Sequence, residues 1–333
     1  MTIQVSGMDL ARPVIPAGLD TPCLVIDLDV VEANARRLQD ALDARGVKLR
    51  PHVKTHKSVE LGRLQLDRGA AGLTIGTLGE AETFADAGLT DLFLAYPLWA
   101  VGPKADRLRA LHERIDLIVG FDSVAGAERL AAAVAGSGRR LRVRLEIDSG
   151  GRRTGIGDPE RAAEVARAAT ALGLHVDGVF SHAGHSYAGP DARVAAAADE
   201  VAALTAAAEE LIAAGVPVDV VSAGSTPTMV ESAAGRVTEI RAGTYLLGDR
   251  LQVALGAIPS NGVAAHVMAT VVSIAVPGQL VIDAGAKALT KDRAPFLTGF
   301  GALPAYPDAV IERVNDYHGV VTVPAGLPAP HLG

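Results

Sequence analysis

One cysteine, Cys23, stands in 333 residues, which excludes a disulfide within the chain and any multi-cysteine metal cluster. Aromatic residues make up only 4%, so a core has to be filled by Ala, Val and Leu. No block of Lys or Arg occurs and the net charge is −7, so nucleic acid is not an expected partner. No run of about 18 apolar residues exists, which argues against a membrane span. The start, MTIQVSGMDLARPVIP, lacks a basic stretch followed by an apolar one and does not read as a signal peptide. What is present is apolar: hydrophobic residues at 49% against charged residues at 21% exclude disorder. The length suits two domains, or one barrel with an appendage. The expectation is a cytoplasmic α/β enzyme.

Short β-branched runs alternate with Ala-rich amphipathic segments, the pattern of βα units. Strands are expected at 48–54, 72–77, 92–97, 116–121, 141–148, 176–182, 218–223 and 237–243. Helices are expected at 29–45, 58–69, 78–88, 103–113, 123–137, 158–173, 190–215 and 226–235. Eight strands with intervening helices predict a (β/α)8 TIM barrel over 29–250, with a doubly wound open sheet as the rival. After residue 250 the rhythm changes. The stretch 264–285, with Pro277-Gly278 as a turn, and the runs 309–315 and 318–323 predict a β-rich second domain over 251–333. The early strand 21–29 exceeds the count of eight, so segment 1–28 is expected to pair with that second domain.

In a barrel, strand ends and the loops after them build the site. The first strand ends in Pro51-His52-Val53-Lys54-Thr55-His56-Lys57. A lysine there loses solvation, and its lowered pKa frees an amine to attack a carbonyl; two surface lysines are the plainer reading. The fifth strand leads into Glu146–Gly155, whose Arg152 and Arg153 can reach an anion or form an ordinary charged turn. The sixth ends in Ser181-His182-Ala183-Gly184-His185-Ser186-Tyr187. Two histidines three apart suit acid–base work, metal binding or a structural loop. The seventh ends in Ser222-Ala223-Gly224-Ser225-Thr226-Pro227-Thr228 before an expected helix, which reads as a phosphate cradle or a plain N-cap. The eighth gives Arg241-Ala242-Gly243-Thr244-Tyr245. A strand-end lysine opposite a late phosphate site is the layout of a pyridoxal phosphate enzyme.

The segments RPHVKTHK, EIDSGGRRTG, SHAGHSY, SAGSTPT and EIRAGTYLLGD resemble the D-threonine aldolase and D-serine dehydratase family, within the alanine-racemase-like barrel class. IDAGAKALTKD (282–292) resembles that family's β-domain. The resemblance implies that Lys54 holds the cofactor aldehyde. It implies that Gly224, Ser225, Thr226, Gly243 and Thr244 surround the phosphate, that Ser222 and Tyr245 also belong to the cofactor-binding set, that Arg153 lies near the ring oxygen, and that Arg241 stands beside the ring nitrogen. His182, His185 or the freed Lys54 would be the base. The implied substrate is a D-3-hydroxy amino acid, cleaved by aldol scission or dehydrated, in a homodimer.

The family's C-terminal metal pair, His-x-Cys or His-x-Asp, has no counterpart: His331 is followed by Leu332 and Gly333. A divalent metal, Mn or Zn, is implied by the resemblance, yet no residue here is assigned to it. Either the sequence stops short of the motif or this member lacks the metal. Two other readings remain, an amino acid racemase and a non-catalytic pyridoxal phosphate carrier. The racemases of this class use a tyrosine from the β-domain, and Asp283 stands at the corresponding place. The carriers lack a second domain.

Overall fold

The computed structural model of the chain describes residues 18–324 together with Leu10, His331 and Leu332. The readings that fall on the first residues and on the Pro-rich end lie, for the most part, outside the described residues.

The chain begins with β1 (Cys23–Ile26) and α1 (Leu28–Asp43). Eight short strands follow: β2 (Lys48–Leu49), β3 (Leu73–Ile75), β4 (Asp91–Pro97), β5 (Asp116–Phe121), β6 (Arg142–Glu146), β7 (His175–Phe180), β8 (Val220–Ala223) and β9 (Glu239–Ile240). They form one parallel sheet in the order β2-β9-β8-β7-β6-β5-β4-β3. The sheet closes on itself. His52, just beyond β2, bridges Thr74 of β3 in parallel, and Thr74 N donates to Pro51 O at 2.8 Å. Closure decides for the barrel over the open sheet.

The crossovers are α2 (Val59–Asp67), α3 (Leu78–Asp86), α4 (Pro103–Arg114), α5 (Val124–Ala133), α6 (Pro159–Ala171) and α7 (Ala192–Ala213). Their starts are written in the sequence. Ser58, Thr77, Ser123 and Asp158 cap α2, α3, α5 and α6 by accepting from first-turn amides. The helix expected at 226–235 does not form; 226–231 is a run of turns. Pro227 and the hydroxyl-rich neighbours explain it. Thr228 Oγ1 accepts from Ser225 N, a side-chain bond that competes with helical pairing.

The first expected strand is also shorter than predicted. After β2 the chain enters a 3-10 turn at Val53–Thr55, so Lys54 stands on a turn and not on an extended strand.

The barrel interior is partly charged. Arg144 is fully buried and donates to Asp177 and to Glu239 Oε1. Arg50 joins Glu239 Oε2 to Asp91. Beside this network Phe93, Ile118 and Phe180 pack together, with Phe93 edge-on to Phe180 at 5.1 Å between centroids.

The remaining elements are α8 (Arg250–Ala254), β10 (Ala265–Met268), β11 (Val271–Ser273), β12 (Gln279–Ile282), α9 (Ala286–Leu289), β13 (Val310–Val314) and β14 (Gly319–Thr322). Strands β11, β12, β14 and β13 make an antiparallel sheet over a core of Leu280, Ile282, Ile311, Val314 and Val321. β1 pairs antiparallel with β10, Cys23 opposite Met268. By contacts the chain divides into Ala35–Thr244 and a second unit that joins the residues up to Asn34 to those from Tyr245 onward. The boundaries read from sequence, 29 and 250, fall a few residues to either side. The reason lies in Asn34, whose amide donates to Leu246 O and Gly262 O and ties the first turns of α1 to the second unit.

Candidate active site

Lys54 is held at the C-terminal end of the barrel by its own turn. His52 Nδ1 accepts from Lys54 N at 3.4 Å, and Thr55 adjoins Gly243 in the loop after β9. A Cβ at position 243 would fall 2.8 Å from His52 O and 3.1 Å from Thr55 Oγ1, so only glycine lets that loop close on the lysine turn. Burial lowers the Lys54 pKa first, and the cations of Arg153 and Arg241 lower it further; Glu80 opposes them. An amine in that setting is a better nucleophile at neutral pH than a surface lysine.

Lys57 is placed differently. Its ammonium pairs with Glu80, and its backbone sits in the left-handed region at φ 52. Glu80 also accepts from Gly76 N at 2.7 Å.

His182 follows β7 and faces the same cations. Burial, then Lys54, Arg153 and Arg241, push its pKa down to about 3. His52 is lowered well below its ordinary value by burial, Lys54 and Arg241. Both imidazoles are therefore neutral; the acceptor nitrogen of His52 is taken by Lys54 N. His185 lies over Gly150, where a Cβ would meet its ring at 3.5 Å. Neither ring nitrogen of His185 makes a hydrogen bond, although Asp199 comes within 3.4 Å of Nε2.

The turn after β8 is lined with hydroxyls. Ser225 Oγ lies 3.2 Å from both Ser186 Oγ and Thr228 Oγ1, and Ser225, Thr226 and Thr228 are buried. Gly224 takes φ +96, and its N–H is committed to Glu200, so its contribution is conformational. With the helix at 226–235 absent, no helix dipole aids this turn. The expected cradle rests on hydroxyls and backbone alone.

Ser222 and Arg241 are brought to each other. Ser222 is fully buried within the barrel, donating to Glu239 Oε1 and accepting from Arg241 Nη1, each at 2.6 Å. Arg241 also donates to Ser181 O and lies over the Phe180 ring at 5.2 Å. Burial lowers the Arg241 pKa to about 10. Tyr245 is buried and belongs to the other compact unit. Thr244 closes the barrel unit behind Gly243.

Three carboxylates escaped the sequence reading. Glu146, at the end of β6, accepts from Thr154 Oγ1 through one oxygen, while its buried Oε2 has no partner and burial raises its pKa. Glu80 and Glu200 are the others. Only Glu146 carried a signal, its place at a strand end.

A phosphorylated aromatic aldehyde fits these residues. Lys54 offers the amine, Ser225 and Thr226 offer hydroxyls, the Gly243 cradle would be filled by any Cβ, and Glu146 and His185 present unpaired buried polar atoms. A metal does not fit in the same way: among the described residues no group of three or more His, Cys, Asp and Glu could hold one. Among them, too, no helix is long and apolar enough to cross a membrane.

The alanine racemase N-terminal domain model matches residues 26–251, and a serine dehydratase domain model matches 264–333. The chain is 40% identical to the D-threo-3-hydroxyaspartate dehydratase of Delftia sp. (strain HT23) over 319 residues, 91% of this chain and 83% of that protein. It is 31% identical to the D-threonine aldolase of Arthrobacter sp. over 344 residues, 99% of this chain and 88% of the other. Among solved structures, the Delftia sp. dehydratase superposes with a TM-score of 0.86 at 39% identity, covering 93% of this chain and 85% of that one. The D-threonine aldolase of Filomicrobium marinum gives 0.86 at 30% identity, with 97% and 88% covered. The alanine racemase of Corynebacterium glutamicum, at 20% identity and a TM-score of 0.63, shares the fold. With the closed barrel, the antiparallel second sheet and these matches together, the chain belongs to the D-threonine aldolase and D-serine dehydratase family of alanine-racemase-like, pyridoxal phosphate-dependent enzymes.

Proposed function

We propose that Lys54 carries pyridoxal phosphate and that the chain is a lyase of D-3-hydroxy amino acids. One observation carries the reading: a lysine of lowered pKa, a buried neutral histidine and a hydroxyl-lined turn after β8 share the same end of one barrel. When bound, the cofactor draws electrons from the Cα of an amino acid joined through its amino group, so that a bond at Cα can break.

The protein's residues do the rest. Lys54 Nζ, held largely by burial and by Arg153 in a less protonated state, would hold the cofactor through its aldehyde and, when free, can take or return a proton at Nζ. A neutral imidazole of His182 accepts a proton from the substrate β-hydroxyl. Ser225 and Thr226 orient a phosphate by hydroxyl hydrogen bonds. Arg153 would supply positive charge near the ring oxygen, and Arg241, braced by Ser222 and Ser181, would stand beside the ring nitrogen.

Racemisation needs a second base from the β-domain. Asp283 stands where the racemases place theirs, and both its oxygens are engaged, one by Thr270 N at 2.8 Å and the other by Thr21 Oγ1 at 2.6 Å. The reading extends to a cytoplasmic homodimer, the dimer resting on the family resemblance alone, and light scattering measures that assembly.

Incubation with D-threonine, D-serine, 3-hydroxy-D-aspartate and D-alanine, with and without added Mn²⁺ or Zn²⁺, tests the function. Glycine plus an aldehyde marks aldol scission; a keto acid plus ammonia marks dehydration. Either from a hydroxy amino acid supports a lyase. L-alanine from D-alanine, with hydroxy amino acids untouched, refutes it.

A further inference from the structure

Glu200 lies on the Ala-rich face of α7, outside every motif named above, yet it is fully buried. Its Oε1 accepts from two backbone amides of two different loops: Ala183 N at 3.2 Å, one residue after His182, and Gly224 N at 3.0 Å, one residue before Ser225. Its Oε2 accepts from Ser232 Oγ at 2.7 Å, in the turns that replace the expected helix. A buried amide left without an acceptor is costly, and two share one oxygen here. Burial raises the Glu200 pKa, while its three donors and the Arg241 charge favour the ionised form.

We propose that Glu200 is a positioning residue that fixes the His182 loop and the Gly224–Thr226 turn against each other, setting the base and the phosphate in one register. The bracing follows from geometry. The two loops end adjacent strands, β7 and β8, and Ser186 and Ser225 meet between them at 3.2 Å. Positioning by such a support is what holds a site within the tolerance that catalysis needs. The consequence for the cofactor rests on the assignment of the Gly224–Thr226 turn to phosphate.

The test uses the full chain freed of cofactor. Amide hydrogen exchange reads Ala183 and Gly224 individually, and titration with inorganic phosphate and with pyridoxal phosphate reads affinity. In Glu200→Ala both amides should lose protection together, and both dissociation constants should rise by about tenfold or more, a loss of about 1.4 kcal/mol. Glu200→Gln keeps an oxygen for the two amides and a donor for Ser232, so it should restore protection and bring affinity back to within about threefold. Should the alanine variant fail to fold, Glu200→Asp, one methylene short of spanning both amides, should show the same joint opening. Amides that stay protected, or open singly, or a glutamine variant that behaves like alanine, overturn the brace. Opened amides with unchanged phosphate affinity overturn instead the assignment of the turn, and with it the proposal's link to the cofactor.

Discussion

Lys57 Nζ and Glu80 Oε1 are 2.5 Å apart, and the same carboxylate holds Gly76 N through its other oxygen. One lysine of the RPHVKTHK segment is thus tied to a neighbouring strand end, and the other faces Arg153 and Arg241. Lys54→Ala should abolish the visible absorbance of bound pyridoxal phosphate. Lys57→Ala should retain it and cost about 0.2–1 kcal/mol in denaturant stability, the range for a pair whose lysine is largely exposed. Retained absorbance in Lys54→Ala would move the attachment elsewhere.

The pH at which the amine becomes reactive follows from its neighbours. Burial and Arg153 lower the Lys54 pKa, and Glu80 raises it. Removing a lowering cation raises the value. Arg153→Gln should therefore move the pH midpoint of pyridoxal phosphate condensation to higher pH, and Glu80→Gln should move it lower. Rates of absorbance change across a pH series measure both. Midpoints moving in the same direction would contradict the electrostatic account.

The strand–helix order was legible because β-branched runs bounded by Gly and Pro leave little choice. The segment RPHVKTHK stands out in the sequence because so specific a run of basic and imidazole residues follows a strand. The charged interior was not legible. In the strand RVRLE, Arg142 and Arg144 alternate with Val143 and Leu145, which reads as a solvent face; closure turns Arg144 inward, where Asp177 and Glu239 meet it. Nor does the sequence show that Ser222, on β8, donates to Glu239 within the barrel. Glu200 was invisible because nothing in an Ala-rich helix marks which glutamate will meet two loop amides.

His182 should stay neutral through the whole physiological range in the cofactor-free chain, since burial, Lys54, Arg153 and Arg241 hold its pKa at about 3. Lys54→Met removes the largest of those charges, and the His182 pKa should rise, as read by NMR titration of its ring. In the holoenzyme His182→Gln should lower kcat by roughly 10²–10⁴, the usual worth of a general base, with cofactor absorbance kept. An unchanged kcat would pass the role to His185 or Lys54.

Glu239 holds the barrel interior together, and its loss should be the most damaging single change outside the site. Burial disfavours its charge, but Arg144, Arg50 and the Ser222 hydroxyl outweigh burial and hold its pKa at about 2. Its folded value lies below the ordinary 4.5, so the stability it contributes is complete above that pH and is lost as pH falls toward about 2. Glu239→Gln leaves two buried guanidinium groups short of a counter-charge, which costs about 3–5 kcal/mol. Glu82→Gln, removing an exposed partner of Arg107, should cost about 1 kcal/mol or less. Urea unfolding at pH 7 should separate the two variants by that margin. At pH 3, where part of the Glu239 contribution is already gone from the native chain, the gap between the native chain and Glu239→Gln should narrow. A gap that stays constant with pH would mean that the carboxylate serves the barrel by shape and hydrogen bonding, with its charge contributing nothing.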